Sequence, residues 1–187
     1  MKLILGLGNP GAEFEKTRHN LGRNCAQYLA KQSELKELKE EKYFFSLLTE
    51  GKIGKEKVVV ALPQTFMNKS GQAASALVKK YKIKPADVII LHDDSDIELG
   101  RVKFSFAKHS AGHKGVESVR RALGTWDFWR IRMGIQKKKR IPAMDLVLKK
   151  LSPDEERIAK KIFKHVAEGI KTAFTDGFEK AMSLYNK

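Results

Sequence analysis

The stretch LILGLGNPG, residues 3–11, places an apolar run of strand character directly before Gly6-x-Gly8-x-x-Gly11. That spacing behind a strand matches the fingerprint of dinucleotide-binding folds, in which the turn lets backbone approach a pyrophosphate. Two supports of the fingerprint are missing. The residues that follow, AEFEKTRHN (12–20), are polar and start no apolar helical stripe. The acid that grips a ribose should end the second strand about 20 residues on, whereas Glu50 stands some 40 residues on. The glycines therefore predict a sharp turn at the C-terminal edge of a sheet, the edge at which open α/β folds bind ligands. Asn9 and His19 flank that turn and supply its polar chemistry.

Outward from the turn, strand and helix patterns alternate, which implies an α/β fold. Leu3–Leu7 reads as a buried strand. Leu21, Cys25, Tyr28 and Leu29 recur at helical spacing and predict a helix over about residues 20–32, with Cys25 on its apolar stripe. Residues 33–42 form a charged connection. Phe44–Leu48 and Val58–Leu62 read as strands of a hairpin around Gly51 and Gly54. Ser70 is placed to cap a helix carrying Ala73, Ala74, Leu77, Val78 and Tyr81, which Lys84-Pro85 closes. Val88–Leu91 is a strand that delivers His92, Asp93 and Asp94 at its C-terminal end. Residues 102–106 and 128–135 read as further strands, with a short helix over about 115–123 between them. The last helix opens at Ser152-Pro153-Asp154-Glu155, an N-cap followed by a first-turn proline and acids. Ile158, Ile162, Val166 and Ile170 form its buried stripe.

A chain of 187 residues suits one domain around a single core. Apolar residues at 42% and charged residues at 32% give the balance of a soluble globular protein. No run approaches the roughly 18 apolar residues of a membrane span. Met1-Lys2 leads into strand-like residues without the apolar segment of a signal peptide. One cysteine forms no internal disulfide, so a reducing cytoplasm is the expected setting. The net charge is +15, and +11 of it falls within residues 101–150, where 14 Lys/Arg face only Glu117, Asp127 and Asp145. Such clustering predicts a surface for phosphates, because cations that neutralise a nucleic-acid backbone release its condensed counterions.

Five segments bring polar groups to strand ends or loops: GLGNPG (6–11), TRHN (17–20), TFMNKSG (65–71), HDDSDIELG (92–100) and SAGHKG (110–115). The carboxylates of HDDSD suggest a hard-cation site, but cation sites draw their acids from across a rigid framework, and no metal is expected. Together with the tail FTDGFEKA (174–181), the segments resemble bacterial-type peptidyl-tRNA hydrolases in order and spacing over almost the whole chain.

The resemblance implies one domain over residues 1–187: a three-layer α/β sandwich, with a twisted mixed β-sheet flanked by helices. It implies hydrolysis of the ester between a peptide and the 3′-terminal ribose of tRNA, with no cofactor and no membrane; with no long apolar seam in the sequence, a cytoplasmic monomer is the expectation. Ester hydrolysis near neutral pH needs a base for water and donors for the developing oxyanion. His19 matches the family's general base, and Asp93 the acid that orients the imidazole. Asn9 and Asn68 match amides that hold the peptide end and polarise the carbonyl. Phe66 and Met67 line the implied peptide groove, and IPAMDLVLKKL (141–151) resembles a mobile lid over it. Lys103 and Arg132 match positions that clamp tRNA phosphate, and Lys108, Arg130 and Lys137–Arg140 extend that surface. His113 and Lys114 belong to the substrate-binding loop, and Phe14 stands where the family commonly has tyrosine.

The chain departs from the family pattern in places. Lys114 replaces the usual asparagine, and lysine has no acceptor oxygen; its ammonium could meet an oxyanion, meet a phosphate, or slow turnover. Ser105 replaces a frequent second lysine of the clamp, with Lys108 as a substitute. The rival expectation is a non-enzymatic RNA-binding relative that keeps the fold and the basic face. Retention of His19, Asp93, Asn9 and Asn68 argues against it, since a pure binder gains little from an activated base.

Overall fold

In the computed structural model, which describes residues 1–186, seven strands form one mixed sheet. They are β1 (Lys2–Gly6), β2 (Lys39–Glu41), β3 (Ser46–Ile53), β4 (Glu56–Pro63), β5 (Val88–Glu98), β6 (Val102–Phe106) and β7 (Trp129–Gln136). Their order across the sheet is β2-β3-β4-β1-β5-β7-β6. The inner pairs β4/β1, β1/β5 and β5/β7 are parallel, and the outer strands join antiparallel.

The inner strands read as unbroken apolar runs because both faces of the sheet are covered. Ile4, Val58, Val60, Ile89 and Leu91 pack on one side, against α1 (Leu21–Gln32), α5 (Pro153–Asp176) and α6 (Phe178–Tyr185). Leu3, Leu5, Val59, Ala61 and Ile90 pack on the other, against α2 (Ser70–Tyr81) and α3 (Lys114–Leu123). This is the three-layer sandwich expected. Cys25 lies fully buried on the α1 stripe, and burial pushes its thiol up.

Several local expectations are corrected. The glycines of LILGLGNPG serve close packing more than turning. A Cβ at Gly6 would meet the Ala26 Cβ at 2.5 Å, and one at Gly8 would meet the Arg23 Cβ at 2.7 Å, so both let β1 and its exit lie against α1. Of the three, only Gly11 has a positive φ, at 111°. Ser70 does not cap α2: it is the first helical residue, and its hydroxyl donates to the Met67 carbonyl at 2.8 Å. Lys82, in left-handed conformation, ends that helix before Pro85 is reached. The charged connection contains the edge strand β2, and the C-terminal helix divides at Gly177. Ile158 is 37% exposed, because the buried stripe of α5 runs through Ala159, Ile162, Phe163 and Val166 instead. The Ser152 cap is as expected and reciprocal: Glu155 N–H donates to Ser152 Oγ, and Ser152 N–H donates to Glu155 Oε2.

Candidate active site

The order of the strands puts the C-terminal ends of β4, β1 and β5 side by side, at the point where the chain leaves β1 in one direction and returns on its other flank. Such a switch point opens a crevice beyond the strand ends. Asn9 sits there, 8% exposed and fixed from three sides. Its backbone N–H donates to Asn20 Oδ1 at 2.8 Å, and its carbonyl accepts from Asn20 Nδ2 at 2.9 Å. Its side-chain Oδ1 accepts from the Met67 backbone N–H at 2.8 Å. A backbone N–H can only donate, so this contact settles the orientation of the amide and leaves Nδ2 as a free donor. Asn68, one residue beyond Met67, is exposed and lines the same cleft.

His19 lies in a single turn, Arg18–Asn20, and is tethered through its backbone N–H to the Val147 carbonyl at 2.8 Å. Its Nδ1 is 2.9 and 3.0 Å from the two carboxylate oxygens of Asp93. The carboxylate accepts, so Nδ1 carries the proton and Nε2 holds the lone pair. Burial disfavours the imidazolium, yet the Asp93 charge and hydrogen bond outweigh it and raise the His19 pKa above its ordinary value; the Lys114 ammonium pulls the other way.

Asp93 is 1% exposed and serves a second histidine. His113 Nδ1 accepts the backbone N–H groups of Gly115 and Val116 at 3.2 and 3.3 Å, capping α3. That nitrogen therefore bears no proton, and Nε2–H donates to Asp93 Oδ1 at 3.0 Å. Burial by itself would raise the Asp93 carboxyl; the two imidazole contacts reverse this and hold it well below the usual carboxylate range. His92, fully buried, has its Nε2 facing Arg130 Nη1 at 3.5 Å, and its Nδ1–H donates to the Asp93 carbonyl at 2.7 Å. Burial above all keeps it neutral.

The ligand-type atoms of His19, Asp93 and His113 lie within 4.8 Å of one another. Their donor chemistry is already committed, since a metal would have to displace the His113 Nε2 proton and, with it, the two backbone bonds at Nδ1.

The cleft has a volume of about 450 Å³. Met67 forms part of its floor, and Phe66, Met144 and Leu148 stand at its rim, 60%, 86% and 56% exposed. Met144 and Leu148 come from the expected lid, which contains the short helix α4 (Ala143–Leu146). Its far end is pinned rather than loose. Arg18 N–H donates to Lys149 O, Leu151 N–H donates to Lys16 O, and Leu146 is fully buried.

The remaining sequence-predicted residues fall in three places. Lys114 is exposed at the mouth of the cleft, as the first residue of α3. Lys103 and Arg132 are direct cross-strand partners on β6 and β7, hence on one face of the sheet. Lys103 is exposed, whereas Arg132 Nε donates to Asp94 Oδ2 at 2.7 Å. Lys108 lies exposed in the loop after β6. Arg130 is a correction: it is 1% exposed and no surface cation. Its Nη2 donates to the His109 carbonyl at 2.7 Å, and burial, with the Arg132 charge, lowers its pKa to about 10. Phe14 is half-buried outside the cleft lining.

Two residues were missed as site-builders. Asn20, which belongs to the TRHN segment, is the clamp on Asn9. Arg18, 1% exposed, donates to Glu155 Oε2 at 2.6 Å and anchors the His19 turn to the start of α5. Neither carries a local signal, because their partners lie 11 and 137 positions away.

Comparison with known proteins identifies the family. The family model for peptidyl-tRNA hydrolase matches residues 3–187. The chain is similar to a peptidyl-tRNA hydrolase of Mycoplasma capricolum, 40% identical over 189 residues and covering 100% of both chains. It is similar also to one of Aquifex aeolicus, 38% identical over 188 residues and covering 100% of this chain and 97% of that one. A crystal structure of peptidyl-tRNA hydrolase from Acinetobacter baumannii superposes with a TM-score of 0.90 at 31% identity, over 100% of this chain and 94% of the other. Likeness of this extent, in sequence from residue 3 onward and in fold throughout, places the chain in the peptidyl-tRNA hydrolase family.

Proposed function

We propose that the chain hydrolyses peptidyl-tRNA by direct attack of water, with His19 as the general base. The activity follows from the family; the residue roles are supported by the geometry. The observation that carries them is the Asp93–His19 contact at 2.9 Å, which leaves an unprotonated Nε2 beside the cleft with no hydrogen-bond partner among the described residues. Nε2 takes a proton from water as the oxygen attacks the ester carbonyl. Asp93 holds the imidazole in that tautomer and stabilises the imidazolium that forms. The Asn9 Nδ2 and Asn68 amide are donors for the substrate and for the carbonyl oxygen as it gains charge. Collapse breaks the bond to the ribose 3′ oxygen, which receives the proton from His19. The products are a peptide carboxylic acid and tRNA with a free 3′ hydroxyl.

The apolar rim of Phe66, Met144 and Leu148 suits peptide side chains of varied size. Lys103 and Arg132, with Lys108 and Lys137–Arg140, suit backbone phosphates, whose contacts position a tRNA without reading its bases. Among the described residues no helix is long and apolar enough to cross a membrane. A monomer working in the cytoplasm, where translation releases the substrate, completes the proposal.

The test is release of diacetyl-lysine from purified diacetyl-lysyl-tRNA, with and without a chelator. The chain is expected to cleave this ester at the same rate in both conditions, and His19→Ala to lose cleavage while retaining tRNA affinity. Full activity in His19→Ala overturns the base assignment, and loss of activity with chelator overturns the metal-free mechanism.

A further inference from the structure

Beside the catalytic cleft lies a second recess of about 220 Å³ that shares Asn68, Ser110, Gly112 and Lys114 with it and continues to Ser118 and Arg121. Apart from Asn68, its lining takes no part in the chemistry derived above. Its charges are unevenly committed. Glu117, its one acid, is paired with Arg120 at 2.7 Å and with Arg121 at 3.2 Å. Lys114 is exposed and has no ion-pair partner among the described residues. The backbone N–H groups of Gly115 and Val116 are engaged by His113 Nδ1, so positive charge at this point of α3 comes from the Lys114 side chain.

We propose that this recess receives the 3′-terminal nucleotide of the substrate and that Lys114 pairs with the phosphodiester joining it to the rest of the tRNA. The inference rests on the hydrolase reading given above. In a peptidyl-tRNA the ribose that bears the ester is also the ribose that carries that phosphodiester through its 5′ oxygen. An ester seated at His19 therefore requires a place for an anion one nucleoside away from the bond that is cut. Lys114 stands at the junction of the two hollows, and the one acid of the recess, Glu117, is already paired with Arg120 and Arg121. Ser110 and Ser118 add hydroxyl groups; Ser118 Oγ already accepts the Gly71 N–H at 3.0 Å and keeps its own proton to donate. Lys103 and Arg132, on the β6–β7 edge, belong to neither hollow. They serve phosphates further along the tRNA.

The proposal separates substrates by the presence of one phosphate. N-acetyl-aminoacyl esters of adenosine and of the dinucleotide CpA carry the same scissile bond, and only the second bears the phosphodiester. The readout is the ratio of kcat/KM for the CpA ester to that for the adenosine ester, in the full chain. Lys114→Gln is expected to lower this ratio about fivefold through KM, the size of an exposed cation–anion contact. Lys114→Arg is expected to preserve the ratio, and added salt to shrink it in the native chain but not in Lys114→Gln. An unchanged ratio in Lys114→Gln overturns the proposal, as does an equal fall of kcat on both esters, which would assign Lys114 to the oxyanion. Failure of the native chain to cleave either ester or peptidyl-tRNA would instead overturn the hydrolase reading itself.

Discussion

The catalytic cleft and the basic edge at β6–β7 handle polar groups in opposite ways. In the cleft, Asn9, His19 and Asp93 have their orientations set by partners from other parts of the chain: Asn9 by Asn20 and Met67, His19 by Asp93, and Asp93 by two histidines. At the edge, Lys103 is exposed, and Lys137 and Arg140 keep 48% and 76% of their side-chain exposure. A group that must take a proton along one direction is useful only if held before the substrate arrives. A charge that meets a phosphate acts over a Debye length and tolerates motion. Strand β5 joins the two regions, since Asp93 faces His19 while Asp94 holds Arg132.

This contrast can be broken by substitution. His19→Ala should cause the largest loss, about 10²–10⁴-fold in kcat, with tRNA affinity retained; single-turnover cleavage alongside a filter-binding measurement checks both. Asp93→Asn should cost about 10²-fold or more and also move the pH profile. The base works deprotonated, so kcat/KM rises with pH and levels off above the His19 pKa, which lies above the ordinary imidazole value of 6.5. Asp93 favours the protonated form, so its replacement shifts the midpoint to lower pH. A midpoint that stays in place would detach Asp93 from His19.

Smaller effects are expected at the edge. Lys103→Ala with Arg132→Ala should raise KM about tenfold and leave kcat close to native. The slope of log affinity against log salt should fall by roughly 0.7–0.9 for each phosphate that is no longer neutralised. An unchanged slope would move the clamp elsewhere. The smallest effect is expected from Arg140→Ala, within about twofold in KM, because its pairing with Asp96 is an exposed one. A change as large as that of the Lys103/Arg132 pair would move Arg140 from the margin of the phosphate surface to its centre.

Much of the fold is legible in local pattern. The apolar runs of β1, β4 and β5 and the stripe of α1 follow from side-chain periodicity, which needs no partner to be read. Where an alternative local solution existed, pattern failed. Ser70 could cap α2 by type, but the chain enters through a turn whose Met67 carbonyl takes its hydroxyl. Ile158 fits the stripe of α5 by spacing, yet it falls at the margin of a buried face that is carried there by its neighbour Ala159 and continues through Ile162, Phe163 and Val166. The glycine motif was legible as functional and misread in detail, because the approach of α1 to Gly6 and Gly8 is visible only with both elements in place.

The alternation of strand and helix, the concentration of cations in residues 101–150 and, through the motifs, the family are all written in the chain itself. Those properties are carried by neighbours along the chain or by residue identity alone. Which polar groups meet depends on folding in three dimensions. It turned Arg130 from a surface cation into a buried one that bonds the His109 carbonyl and abuts His92. It made His113 a donor to Asp93, and it set Lys114 between two hollows with no ion pair among the described residues. Hydrogen bonds and ion pairs act over a few ångströms between residues 20 to 137 positions apart, and no local pattern records which of them the fold will bring within reach.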